Sequence, residues 1–438
     1  MTKSHLRTQN FLSQIKGSFI FKFIAIAIGF FTTPILVQYL GVEKYGIWSV
    51  VFGLISWLTI FDFGLGNGLK NEVTKAITIK DNLLLNKLIV TGYITNFLII
   101  TAVLFIFLII ASFIDWQQLL NTEAVSKEYL LQFVMLIFSI MSLNFIVSLV
   151  LQVIHGYQKS SYTTLFQMLS NIVVFVFLYI LNIFNQDHSL IYIAFLYGIS
   201  LISVNLLGSI WFFKTKTTLT FSPAYFDKSM IKNFMNFGLK FFYLQIAVIL
   251  IYQTDKIIIS NLFGPEEVAH YDLLFKLFSI VITIHTLVLT PLWPAMADAY
   301  HNKDKEWIHQ TIKKINLFLL PLILIVIFIA YFHSEIIYYW IGSSLQINSQ
   351  LVLFLAISIT FMLWNNNYSY IMNGFGKLNL QLYTATFGMI CNIPLSIYLG
   401  KYLESSGGVV LASVLLQSIF LWLGPWYVYK QVNKMESK

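Results

Sequence analysis

Charge is what this chain has least of. Only 11% of its 438 residues are Asp, Glu, Lys or Arg, where ordinary soluble domains carry about 25%. A soluble fold would need a polar surface that these residues cannot supply. Cysteine is nearly missing too: Cys391 stands alone, which excludes an internal disulfide, and no CxxC or HExxH spacing offers metal ligands. No GxxxxGK[ST] loop occurs, which excludes that way of cradling a phosphate. A cleavable leader is not expected, because the first apolar run, Phe19 to Leu40, is long for one and lacks a small-residue cleavage site. What fills the chain is apolar, with 58% hydrophobic and 17% aromatic residues. Runs of about 20 such residues, enough to cross the hydrocarbon of a bilayer, recur from end to end. A membrane barrel would need short alternating segments instead. The expected class is an all-α polytopic membrane protein.

Twelve spans are expected, at roughly 15–40, 45–66, 88–113, 129–154, 163–184, 190–213, 234–263, 268–297, 311–333, 350–373, 380–402 and 409–429. Lysine and arginine orient them, since cytoplasmic loops hold the excess. Of the 27 basic residues, 21 lie in the N-terminal segment, the tail and alternate connections between spans. The opposite connections hold only Lys44, Lys127 and Lys401, beside nine acidic residues. Both termini are therefore expected in the cytoplasm. Topology and anionic headgroups account for the formal net charge of +8, and no nucleic-acid partner is expected.

Three lysines remain, and they fall within spans: Lys22, Lys256 and Lys276. Lys256 follows Asp255 in the stretch Tyr252 to Ser260. A charge near the middle of a spanning helix costs about 2.5–3.5 kcal/mol, and such groups usually mark a transport pathway. Asp255 and Lys256 precede Gly264 by eight or nine residues, about 12–14 Å of helix. Lys276 is expected at nearly that depth in the next span. Asp255 is expected to pair with Lys256 or Lys276, either beside a cationic substrate surface or as a clasp between two helices. Lys22 either joins that surface or snorkels to the interface.

Other polar runs carry two readings each. Asp62-Phe63-Gly64-Leu65-Gly66-Asn67-Gly68 places glycines at alternate positions at the end of the second span. It reads as an adaptable, unwound gate exposing Asp62 and Asn67, or as a simple glycine cap. Asn365, Asn366 and Asn367 crowd amides into the tenth span, where they bind sugar hydroxyls or glue helices together. His285 either relays protons or is structural.

The chain also repeats itself weakly. Gly41-Val42-Glu43-Lys44-Tyr45 matches Gly264-Pro265-Glu266-Glu267 with Tyr271, and the glycines are 223 residues apart. Gly156-Tyr157-Gln158-Lys159 matches Gly374-Phe375-Gly376-Lys377 at an offset of 218. The expected organisation is an N-terminal six-helix lobe over 1–213, a cytoplasmic linker over 214–233, and a C-terminal six-helix lobe over 234–438. Substrate sites in repeated transporters lie where the repeats meet.

Taken in order, Gly41-x-Glu43-x-Tyr45-Gly46-Ile47-Trp48, Asp62-Phe63-Gly64-Leu65-Gly66, Thr254-Asp255-Lys256-Ile257-Ile258, and Tyr271 with Lys276 resemble the polysaccharide-export branch of the MOP (MATE-like) superfamily. These are the bacterial O-antigen and repeat-unit flippases. The resemblance implies two pseudo-symmetric six-helix lobes and no enzymatic activity. It implies alternating access that moves undecaprenyl-diphosphate-linked oligosaccharide from the cytoplasmic to the periplasmic leaflet of the inner membrane. It implies a proton or sodium gradient as driver and no cofactor. Expected partners are the lipid-linked glycan, membrane lipids, and polysaccharide polymerase and chain-length machinery. Lys22, Asp62, Asn67, Asp255, Lys256, Lys276, Asn365 and Asn366 are the candidate cavity residues, with flexibility expected around Gly66/Gly68 and Pro291/Pro294. The alternatives are a MATE-like small-molecule or drug antiporter and a membrane polysaccharide polymerase. The lysines in the spans oppose the first, and the short outer connections oppose the second.

Overall fold

The structure is a computed structural model. It describes residues 3–55, 58, 65–184, 187–215, 219, 222–231 and 254–435, without the side chains of 3–18, 55, 67, 294 and 301. Two compact units divide it: 1–117 with 123–246, and 118–122 with 247–438. The first contains α1 (Lys3–Leu40), α2 (Val42–Ile55), α3 (Leu65–Ile79), α4 (Asn82–Phe113), α5 (Lys127–Val147), α6 (Leu149–Gly156), α7 (Ser160–Phe184) and α8 (Leu190–Lys214). The second contains α9 (Thr254–Phe263), α10 (Pro265–His301), α11 (Lys305–Tyr331), α12 (His333–Ile341), α13 (Ser349–Phe375), α14 (Asn379–Leu403) and α15 (Ser406–Asn433). Among the described residues, ten helical stretches are long and apolar enough to cross a bilayer. Of the other two expected spans, α2, Leu58, the start of α3 and α9 are described, and the remaining parts lie outside the described residues. Large apolar side chains such as Phe113, Phe184 and Tyr339 are exposed, as lipid-facing surfaces require. The protein is a multi-pass membrane protein.

The repeat extends well beyond the two glycine turns. At the offset of 223, Gly41 and Gly264 both take positive φ, +76° and +91°, a conformation glycine adopts without steric cost. Lys80 and Lys303 are both left-handed, at φ 59° and 57°. The next residue caps a helix in each case: Asp81 accepts from the Leu84 amide and Asp304 from the Trp307 amide. Such a side-chain cap satisfies one of the first-turn amides that have no partner within the helix. At the offset of 218, Gln158 and Gly376 are both left-handed.

The cores repeat as well. In the first unit, Val73, Ala76, Leu85, Ile89, Val150, Val153 and Ile154 belong to one buried cluster. In the second, the equivalent Met296, Ala299, Ile308, Ile312, Tyr368, Ile371 and Met372 belong to another. Each cluster needs a close helix approach. A Cβ on Gly156 would stand 2.5 Å from Val73, and one on Gly374 would stand 2.7 Å from Met296.

The expected unwound end of the second span is corrected at its described part. Leu65 begins α3, so Gly66 and Gly68 lie within a helix. The cause is packing: Leu65, Leu69, Val73 and Ala76 form a fully buried stripe, which outweighs the cost of about 1 kcal/mol for a helical glycine. Helix α10 likewise runs unbroken through Pro291. Past α8, Asp227 ties the connecting segment to α4. It pairs with Lys87 at 3.2 Å, and its backbone amide donates to the Thr91 hydroxyl at 2.9 Å. The Ser229 hydroxyl and then the Lys87 ammonium hold the Asp227 carboxyl below the usual carboxylate range.

Candidate functional site

The second unit concentrates buried ionisable groups, and their arrangement follows from one turn. Gly264 reverses the chain between α9 and α10. Lys256 lies eight residues before it and Asp272 eight residues after it, so both stand about 12 Å from the turn. Lys256 donates to Asp272 Oδ1. Lys276, one helical turn further along α10, reaches Asp272 Oδ2 at 3.1 Å. The carboxylate is buried, Lys256 is nearly so, and Lys276 keeps 39% of its side chain exposed. Two cations thus share one anion among helices of a membrane protein.

This corrects the expected pairing of Asp255 with Lys256 or Lys276. The eighth span begins at Pro265 rather than near 268, so Asp272, not Lys276, lies level with Lys256. Consecutive helical residues also point about 100° apart, and Asp255 faces the other way. It is buried, and Oδ2 accepts from the Ser413 hydroxyl of α15 at 3.2 Å. Asn392 of α14 donates to the same Ser413 oxygen at 3.2 Å, and its own Oδ1 accepts from Thr254 at 3.3 Å. Asp255 Oδ1 is buried without a hydrogen-bond partner among the described residues.

This polar file continues along α15. Ser406 donates to Glu267 Oε2 at 2.6 Å, and Gln417 donates to Ser358 of α13 at 2.9 Å. Positions 406, 413 and 417 are spaced to share one helix face. Asn365 donates to the Gln417 carbonyl at 3.0 Å. Asn366 is half-buried and its side chain makes no hydrogen bond among the described residues. Asn367 is fully buried: its amide donates to Asn316 Oδ1 at 3.0 Å, and its Oδ1 lies 2.8 Å from His285 Nε2. Asn365 and Asn367 thus bind other helices of their own unit.

The remaining candidates lie in the first unit. Lys22 is exposed on α1 between the exposed Phe19 and Phe23 and has no ion-pair partner among the described residues. Asp62 lies outside the described residues, as does the side chain of Asn67. The reading from sequence missed Asp272. Its signal was available, because an acid four residues before Lys276 faces it on a helix. Ser413, which donates to Asp255, and Asn392 behind it carried no such signal, since small polar residues are common in spanning helices.

Comparison with known proteins places these features. The model of the polysaccharide biosynthesis protein family matches residues 16–300, and the MatE model matches 242–398. The chain is 24% identical over 378 residues to a Salmonella typhimurium protein named as an O-antigen transporter, with 83% of this chain and 84% of that one covered. It is 21% identical over 371 residues to a Yersinia pseudotuberculosis protein named as an O-antigen export protein, with 82% of each covered. An inward-facing multidrug MATE transporter of the MOP superfamily superposes with a TM-score of 0.76 at 15% identity, covering 95% of this chain and 96% of that one. An outward-facing one gives 0.65 at 16% identity, covering 97% and 96%. The fold is that of MATE transporters, and the chain belongs to the polysaccharide biosynthesis protein family.

Proposed function

We propose that the protein is a flippase that carries undecaprenyl-diphosphate-linked oligosaccharide repeat units, of O-antigen, capsule or other exopolysaccharide. It moves them from the cytoplasmic to the periplasmic leaflet of a bacterial inner membrane by alternating access, with both of its termini in the cytoplasm. The observation that supports this most is the Lys256–Asp272–Lys276 group. Two lysines within spanning helices are costly and usually mark a transport pathway, and lysine is a point-charge binder of phosphate. The partly exposed Lys276 engages the diphosphate or an acidic sugar, while Asp272 holds both ammonium groups in place.

The driving ion, a proton or sodium, acts at Asp255. Its buried carboxylate with one free oxygen supports this role, because taking up a cation there removes an uncompensated charge. Names of the relatives as O-antigen export proteins and transporters support the cargo, and the fold supports transport over catalysis. The test is to delete the gene and follow lipid-linked repeat units. Accumulation in the cytoplasmic leaflet, reversed by the wild-type gene but not by Lys256→Ala or Lys276→Ala, is the expected outcome. Repeat units that still reach the periplasm after deletion would refute the flippase reading. Full export by both lysine variants would remove the triad from the mechanism.

A further inference from the structure

On the first unit, α7 and α8 enclose a groove of about 340 Å³. Its walls are apolar: Leu165, Phe166 and Leu169 face Val204 and Leu207. Gly208 permits it, because a Cβ there would stand 2.3 Å from the Phe166 ring. The mouth has a different chemistry. Tyr162 and Trp211 stand there with ring centroids 5.2 Å apart. Lys159 holds its ammonium 5.4 Å from the Tyr162 ring, and Lys214 is exposed at the end of α8, three residues past Trp211. Neither lysine has an ion-pair partner among the described residues. From Tyr162 to Leu169 the groove descends seven residues, about 10 Å. Paired amphipathic aromatics are the side chains that mark a membrane interface.

A second groove, in the other unit, supplies the contrast. It lies between α11 and α13, holds about 550 Å³, and is lined by Val326, Tyr331, His333, Leu353 and Phe361 among others, with no lysine or arginine. Both grooves suit an apolar chain, and two lysines adjoin the lining of the first: Lys159 against its Tyr162, and Lys214 three residues past its Trp211.

We infer that the α7–α8 groove binds an anionic phospholipid, with one acyl chain along Leu165, Leu169 and Leu207 and its phosphate between Lys159 and Lys214. Basic pockets at the cytoplasmic ends of spanning helices have the chemistry for such headgroups. The inference rests on the membrane placement of α7 and α8 and not on the proposed cargo. The test uses the full-length protein purified in detergent, with phosphatidylglycerol or phosphatidylcholine added and bound lipid counted by native mass spectrometry. The wild type retains one phosphatidylglycerol in preference to phosphatidylcholine. Lys159→Gln with Lys214→Gln weakens that site about tenfold to thirtyfold, from the contribution of each cation near a charged surface. Lys303→Gln with Lys377→Gln, an equal change of charge elsewhere, leaves it intact. Leu207→Trp, a change at an exposed position, blocks the groove and releases both lipids. Equal retention of the two lipids by the wild type would overturn the inference. So would a paired-lysine variant that keeps the bound phosphatidylglycerol.

Discussion

Where the first unit has Thr32 and Thr33, the second has, 223 residues on, Asp255 and Lys256. At the same offset Ser49 corresponds to Asp272 and Gly53 to Lys276. Thr32 donates to the Ile28 carbonyl at 2.7 Å and Thr33 to the Gly29 carbonyl at 3.1 Å, both within α1. Their counterparts reach other helices. Among the described residues, every buried Asp or His lies in the second unit: Asp255, His270, Asp272 and His285. The turns, the caps and several core positions of the two units nevertheless match. The frame is therefore independent of the charges. In a bilayer an ionisable side chain is a burden unless it serves a function, and among the described residues the second copy of the repeat carries the buried Asp and His.

The largest effect should come from breaking the triad on one side. Asp272→Ala leaves two lysines without their shared anion, and removing one member of a buried ion pair costs about 3–5 kcal/mol. A thermal melt in detergent should show a much less stable protein, and export should cease. Imitating the first unit with Lys256→Thr, Asp272→Ser and Lys276→Ala should restore most of the stability and none of the export. Export by that neutral variant would mean that the comparison concerns stability alone.

The frame is tested by Gly156→Ala and Gly374→Ala. Both press a methyl into a neighbouring helix, and overpacking costs about 1–3 kcal/mol. Because the two sites are equivalent, their melting temperatures should fall alike. A large difference would show that the units do not share one packing rule.

Asp255→Asn should change stability by no more than about 1 kcal/mol, since an amide can still accept from Ser413. Its effect should appear in function, as export that no longer responds to the proton or sodium gradient in vesicles. An unaltered gradient response would dismiss Asp255 as the coupling group.

The smallest effect belongs to Asp227. Its carboxyl titrates lower in the folded protein, so its contribution is present above the unfolded value of about 3.9 and fades as pH falls through the folded one. The protection factors of amides in residues 222–231, measured against the intrinsic rate at each pH, should therefore fall at acid pH. In Asp227→Asn that fall should be replaced by uniformly weaker protection at neutral pH.

The sequence by itself determined the class, since the scarcity of charge and the length of the apolar runs leave no soluble alternative. It also determined much of the repeat. Gly41 and Gly264, or Lys80-Asp81 and Lys303-Asp304, act through local backbone geometry, and local geometry is written in adjacent residues. It located the ionisable cluster to within a helical turn, because any charge stands out against an apolar background. Which charges meet was decided only by the tertiary structure. Pairing depends on where α10 starts and on which face each side chain occupies, so an error of three residues at Pro265 exchanged Asp272 for Asp255. The hydrogen-bond partner of Asp255 lies on α15 and that of its neighbour Thr254 on α14, more than 130 residues away in sequence. No local pattern records a contact between helices so far apart in the chain.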